Sequence, residues 1–391
     1  MSTSGRSGTD ESDSATSDVA AALREAAFVR LLARADGDCL AAAGLLARAL
    51  SERGVPYQVR VARFGETLAD PETTASADAD DTTVGVGLDS AADAHLSGET
   101  TPASVTAFDA ADELGTASNP VLALAGVVAA GRVPGADETA HVLAAASELG
   151  VERRPGVGVP TDDLANGLAH TTLAHADYSG DAGAVQATLA ELGLPAELDA
   201  SAHRRVASEF ALAVAGHESA TDRAAESVER ALRPHALSDG PFATVEGYAD
   251  VLEAVARERP GTGVALALGH DARADALDAW RDHAERAHAA LREATTGRYD
   301  GLFVARTDTA PVETVARLLR DFRSPEPVAL VVSDDEAAAA AADDRDVGAT
   351  MTDAVAQVGG VGGGTARRGY ARFDPETDTK EFLTAFREAR K

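Results

Sequence analysis

The chain has 391 residues, of which 64 are acidic and 35 basic, giving a formal net charge of −29. That length suggests two domains with ample cores, and one cysteine, Cys39, excludes an intrachain disulfide and a cysteine-based zinc site. No apolar run reaches about 18 residues, which excludes a spanning helix, and the first residues lack a charged-then-apolar signal pattern, so a soluble cytoplasmic protein without a membrane partner is expected.

Residues 1–17 are small, polar and acidic, the composition of a disordered tail. Residues 18–35 read as a helix running into an apolar strand, and 40–54 as a helix stopped at Gly54. Residues 57–64 alternate as a strand does, and 66–81 form an acidic loop. Two short strands, 82–89 and 103–109, each end in an aspartate, and 119–131 is an apolar helix with proline at its start and glycine at its end. This opening series predicts an α/β domain with a doubly wound parallel sheet. Residues 137–235 are mostly helical. After 240–258 a second α/β series runs through 261–271, 275–294, 299–308, 310–322 and 327–335. The acidic, alanine-rich stretch 335–346 reads as a solvated helix or loop, and a glycine cluster, VGGVGGGTARRGYA, fills 358–371. The expected organisation is a tail (1–17), a first α/β domain with a helical connector (18–237) and a smaller C-terminal α/β domain (238–391).

Ligand sites in doubly wound sheets lie beyond the carboxyl ends of the strands. Asp36, Asp38, Asp89 and Asp109 are each predicted at such an end. Hard divalent cations take several oxygen ligands, and a two-metal centre needs carboxylates from different strand ends. The competing reading is that these aspartates cap helices, as Asp38 would for the helix from Leu40. In the glycine cluster, Gly362, Gly363 and Gly364 offer backbone amides that can cradle a phosphate or simply make a tight turn. Arg367 and Arg368 just beyond are candidate phosphate contacts or ordinary surface arginines. Tyr370 is the better candidate for base stacking, while Trp280 and Tyr248 read as core anchors. The histidines at 95, 170, 175, 203, 270 and 283 have no spacing that ties them to the aspartates.

With these elements in order, the chain resembles the DHH phosphoesterase superfamily, in its RecJ-type exonuclease branch, over roughly residues 20–390. ARADGDCLAAAGLL (33–46) matches the family's opening motif, with Asp36 and Asp38 on its paired aspartates. Ala33 and Arg34 stand where the family has histidine, and Cys39 where it has glycine. Asp89 falls on the second motif. Asp109 falls on the aspartate of the Asp-His-His motif, whose histidines are replaced by Ala110 and Ala111. The fourth motif's aspartate is replaced by alanine near Ala129 or Ala130, and Thr365 takes the histidine of the C-terminal Gly-Gly-His motif.

The resemblance implies manganese or magnesium as the cofactor if one is kept, the alternative being none. The substitutions remove ligands that such a pair needs, since even a lost partner behind a ligand costs about 10–100-fold in metal affinity. Asp36, Asp38 and Asp89 remain as a set that can hold one ion weakly. The implied function is a degenerate family member, a pseudoenzyme that binds single-stranded DNA or RNA or serves as a scaffold in DNA replication or repair. Relatives of this kind include the helicase-activating factor of the eukaryotic CMG complex and archaeal RecJ-like proteins that associate with GINS and MCM. The alternative is a divergent manganese-dependent 5′→3′ single-strand exonuclease or phosphodiesterase.

The charge itself says little about partners. Acid excess with only two lysines, Lys380 and Lys391, high alanine and few aromatics is the composition of a salt-in halophile. Molar salt screens surface charge to a Debye length of about 3 Å and weakens phosphate contacts as well.

Overall fold

Burial alternates along Phe28–Arg34, the strand β1, with Val29, Leu31 and Ala33 fully buried on one face. The structure is a computed structural model and describes residues 7–66, 81–88, 91–195, 197–238 and 240–390, with residues 7–13 described by their backbone alone. β1 is an inner strand of a four-stranded parallel sheet in the order β2-β1-β3-β4, with β2 at Tyr57–Ala62, β3 at Asp81–Val86 and β4 at Ala94–Leu96. Leu31 pairs with Val59 on one side and Val84 on the other. The chain therefore reverses its winding direction at β1, and the topological switch point falls at its carboxyl end.

Helix α1 (Ser7–Glu25) precedes β1 and helix α2 (Gly37–Arg53) follows it. The helix at Ser7–Glu25 corrects the expectation of disorder through residue 17. Its C-terminal half docks through Val19, Ala20 and Leu23, all fully buried. Once that half is fixed, each further turn escapes the cost of nucleation. Gly54 closes α2 in the left-handed conformation, its N–H bonded to the carbonyls of Leu50 and Ser51. Residues 103–109, read from sequence as a strand, lie in helix α3 (Ala103–Glu113). The short apolar run was compatible with either element. Helix α4 (Pro120–Ala129) starts under an Asn119 cap, and α5 (Ala140–Glu148) follows.

The chain divides into two compact units. The first takes the described residues of Met1–Arg63, Thr67–Glu152 and His235–Trp280. The second takes those of Phe64–Glu66, Arg153–Pro234 and Arg281–Lys391. This division differs from a boundary near residue 238. The helices α10 (Val245–Glu258) and α11 (Pro260–Ala267) pack in the first core through Tyr248, Leu252, Val255 and Leu266. Trp280, early in α12 (Arg273–Glu293), is fully buried in the same core.

The second unit holds helices α6 (Leu164–His170), α7 (Ala182–Glu191), α8 (Ala200–Ala215) and α9 (Asp222–Val228); along the sequence, the short strands β5 (Glu152–Arg153) and β6 (His235–Ala236) flank this stretch. A six-stranded mixed sheet follows in the order β11-β12-β10-β9-β8-β7. Its strands are β7 (Thr295–Tyr299), β8 (Leu302–Arg306), β9 (Val328–Val332), β10 (Glu336–Ala341), β11 (Gly360–Gly364) and β12 (Arg368–Phe373). The helices of this part are α13 (Val312–Phe322), α14 (Val347–Val358) and α15 (Thr379–Ala389). The alanine run is thus the inner strand β10, not a solvated segment. It pairs with β9 and β12, and Ala337–Ala341 are all buried. Pairing on both edges overrides the helical preference of alanine. Among the described residues no helix is long and apolar enough to cross a membrane.

Candidate functional site

The carboxyl end of β1 leads through Ala35 to Asp36, which has extended backbone and caps α2. Asp36 Oδ1 accepts from the Cys39 N–H at 2.9 Å, and Oδ2 accepts from Arg34 Nε. Two residues on, Asp38 turns toward the next helix. Its Oδ2 accepts from the Ala103 N–H at 2.8 Å and its Oδ1 from the Ser104 N–H at 3.0 Å. Pro102 precedes α3 and offers no side-chain cap, so Asp38 caps that helix from across the sheet. Each aspartate is only 3 % exposed. Both are helix caps, as the competing sequence reading allowed, although α2 is capped by Asp36 and Asp38 serves α3.

The start of α2 takes one more carboxylate. The Gly37 N–H donates to Glu253 Oε2 at 2.7 Å, and Glu253 Oε1 pairs with Arg257 at 2.8 Å. Glu253 is on α10, 216 residues from Gly37. It belongs to a row of buried acids on that helix: Glu246 receives the His235 N–H and ring, Asp250 receives the Trp280 indole N–H, and Glu253 receives Gly37. Acids at i, i+4 and i+7 among apolar neighbours were the available signal for this row, and sequence reasoning did not use it.

Arg34 is the cation beside Asp36, as Arg257 is beside Glu253. Besides Asp36, Arg34 binds the Gly87 carbonyl through Nη1 at 2.9 Å. Gly87 sits at φ +68, and a Cβ there would lie 2.3 Å from Cys39 Sγ, so only glycine fits beyond the end of β3. Burial works against the charge on Arg34, but the surrounding negative groups together, Asp36 foremost through its charge and its hydrogen bond and Asp38 behind it, outweigh burial and hold the guanidinium protonated. Burial, together with the charge of Asp36, pushes Asp38 up to about 6 against the pull of its bonds from Ser104 and Ala103. Burial also pushes the Cys39 thiol well up, which leaves it a neutral packing group.

The other site residues read from the sequence lie elsewhere or serve other purposes. Asp109 is not at a strand end. It sits on α3 and bonds His141 at 2.7 Å near the surface. Ala110 and Ala111 are buried core residues of the same helix. The strand that does follow β3 is β4, and beyond it Gly98 places its Cα side near Asp38, a Cβ there lying 3.5 Å from Oδ2. Ala129, at the expected fourth position, lies against Gly37: a Cβ on Gly37 would come 2.7 Å from the Ala129 Cβ. Asp89 lies outside the described residues. Among the described residues no three His, Cys, Asp or Glu side chains are placed to hold a metal ion.

In the second unit the glycine cluster is not a loop. Gly360–Gly364 form the edge strand β11, in register with β12 from Gly360↔Phe373 to Gly364↔Gly369. A Cβ on Gly364 would meet the Arg368 carbonyl at 2.0 Å, so the glycines permit close strand approach. Thr365 makes the turn: its N–H donates to the Arg368 carbonyl at 2.8 Å, and its Oγ1 accepts from the N–H groups of Arg367 and Arg368. Arg367 is exposed at this tip and pairs with Asp344. Tyr370 is fully buried, its hydroxyl donating to Glu336 at 2.7 Å, which removes it as a stacking platform.

Two buried histidines of this unit form a pair. His175 and His288 meet Nδ1 to Nδ1 at 3.0 Å, with rings stacked 5.1 Å apart. His288 Nε2 lies 3.1 Å from the Thr171 carbonyl and so carries the proton there, leaving its Nδ1 to accept from His175. Burial holds both rings neutral, with His288 pushed down to about 3.

A family described as "Uncharacterized protein rrnAC1427, C-terminal domain" matches residues 294–388. The uncharacterized protein rrnAC1427 of Haloarcula marismortui is 54 % identical over 376 residues, covering 95 % of this chain and 96 % of that protein. Among solved structures, CDC45 from Entamoeba histolytica superposes with a TM-score of 0.57 at 10 % identity, over 98 % of this chain and 99 % of its own. A manganese-bound exonuclease RecJ gives a TM-score of 0.48 at 14 % identity, over 96 % of this chain and 93 % of its own. The likeness to CDC45 is one of fold.

Two outcomes follow from this geometry. Asp38→Ala leaves the Ala103 and Ser104 N–H groups buried without an acceptor and should cost about 2 kcal/mol. Asp109→Ala, at the surface, should cost no more than about 0.5 kcal/mol. Thermal unfolding at fixed molar KCl measures both, and equal losses would refute the assignment. For His288 the folded pKa lies below the unfolded value of about 6.5, so its contribution is complete above that pH and is lost as pH falls toward 3. By pH 5 the loss is about 2 kcal/mol. His288→Gln should flatten the decline of stability between pH 6.5 and 5, and an unchanged slope would show that the ring does not cause it.

Proposed function

The chain belongs to the rrnAC1427 family, and from that premise and its CDC45-like fold we propose that it is a degenerate DHH-type protein, RecJ-like in descent, that binds single-stranded nucleic acid or scaffolds a replication or repair assembly without hydrolysing phosphodiesters. One observation carries this reading. All four carboxylate oxygens of Asp36 and Asp38 already accept a hydrogen bond, three from backbone N–H groups and one from Arg34. Carboxylates committed to capping two helices are poor candidates for ligating an attacking hydroxide's metal.

By the same resemblance, GINS and MCM are the partners proposed, and single-stranded DNA is proposed ahead of RNA. The acid excess fits a salt-rich cytoplasm. Contact with the phosphate backbone is assigned to Arg367 and Arg368 at the β11–β12 turn. The Arg367–Asp344 pair is exposed on both sides and is weak enough to exchange for a phosphate.

The test is a 5′-labelled single-stranded oligonucleotide incubated in molar KCl with manganese, read by gel and by anisotropy. We expect the label length to stay unchanged, and anisotropy to rise as KCl is lowered. Replacing Arg367 and Arg368 by alanine should reduce the salt slope by about 1.4, the single-strand value for two phosphate contacts. Manganese-dependent cleavage that vanishes in Asp36→Asn would overturn the reading in favour of the exonuclease.

A further inference from the structure

A divalent cation between the strand ends would need open oxygen ligands there. The donor set does not fit one. Asp36 and Asp38 are only 3 % exposed, and every one of their carboxylate oxygens has a donor. The space between β1 and β3 is crossed by the Arg34 side chain, which joins Asp36 to the Gly87 carbonyl. Its side chain is 11 % exposed and that of Asp36 5 %. Gly87 has no room for a side chain, and Cys39 closes the floor beneath it. A second cation placed here would face a fixed guanidinium, and like charges in a poorly screened interior repel strongly.

We propose that Arg34 is a built-in cation that takes the place of a divalent metal at the end of β1, so that the site is filled by the chain itself. A guanidinium suits this role. It stays charged on burial, and its planar fork spans a carboxylate and a carbonyl at once. The cation neutralises Asp36 beside the buried Asp38. It also fixes the end of β3 through the Gly87 carbonyl, as a metal bridging two strand ends would. The anion side of the same site is closed in parallel, because the Gly37 N–H at the start of α2 is taken by Glu253. A helix N-terminus at a strand end is otherwise suited to a phosphate.

This inference deepens the non-hydrolytic reading and rests on it, yet it has its own test. Thermal unfolding of the full chain in 2 M KCl is measured with and without millimolar MnCl2, for the wild type, Arg34→Ala and Arg34→Lys. The wild type should show no shift with manganese. Arg34→Ala leaves Asp36 buried without its cation and should unfold roughly 5–10 °C lower, and manganese should recover several degrees of that loss. Arg34→Lys, which keeps the charge without the fork, should fall in between and ignore manganese, and it keeps the test alive if the alanine variant does not fold. A saturable manganese shift in the wild type that disappears in Asp36→Asn would overturn the inference. So would an Arg34→Ala protein that keeps its stability, or one that loses it without recovery by manganese, either of which makes Arg34 an ordinary ion pair. Those last results leave the non-hydrolytic reading standing, which falls only to metal-dependent cleavage by the wild type.

Discussion

Two helices begin at the carboxyl edge of one small parallel sheet, and the first N–H groups of a helix have no acceptor within it. Water cannot supply the acceptors for α2 and α3 here, because the edge is buried. The chain answers with carboxylates: Asp36 and Glu253 for α2, Asp38 for α3. Burying several carboxylates together raises a second demand, for positive charge, which Arg34 and Arg257 meet. Arg34 in turn needs an oxygen on its far side, and Gly87 provides it from a left-handed backbone position where a Cβ would strike Cys39 Sγ. Each group thus answers a deficit created by the one before it. Removing a member leaves a buried charge or an unpaired N–H, and either costs more than the contact itself contributes.

Much of this was legible in the sequence. The Asp-x-Asp at the end of an apolar run marked the strand-to-helix handover, and the opening series of elements indicated the parallel sheet. The choice between metal ligand and helix cap for Asp36 and Asp38 was not legible, because both uses ask for a carboxylate at the same place. The groups that complete the capping arrangement are Arg34, two residues before Asp36, and Glu253, which lies 216 residues from Gly37. Asp109 was misplaced because the first half of an eleven-residue helix, ASVTAF, presents the same short apolar run as a strand. The glycine cluster suggested a phosphate cradle or a tight turn, because glycine carries no strand signal of its own. Its pairing with β12 and the close approach that side chains would block appear only in three dimensions. The two units interleave along the chain, and amphipathic helices carry no mark of which core they will join.

The likeness of fold to CDC45 at 10 % identity makes physical sense in these terms. A parallel sheet covered by helices is specified by where apolar residues fall and where helices are capped. Apolar residues can be exchanged within that pattern many at a time, provided the total core volume is kept. Alanines at 110, 111 and 129 fit it too: the first two join the core of α3, and the third lets α4 approach the glycine that opens α2.

The alanine strand β10 carries a consequence of a different kind. Its residues alternate between two cores: Ala338 and Ala340 belong to one, and Ala337, Ala339 and Ala341 to the other. A strand whose side chains are single methyl groups draws the covering layers inward on both faces, and it has no slack to give back. Enlarging any of its positions overfills a core, at a cost of about 1–3 kcal/mol, and shrinking one to glycine loosens the ladder. What looks in the sequence like compositional drift toward a cheap residue is a stretch where nearly every mutational step is closed, so its monotony records the thickness of the domain.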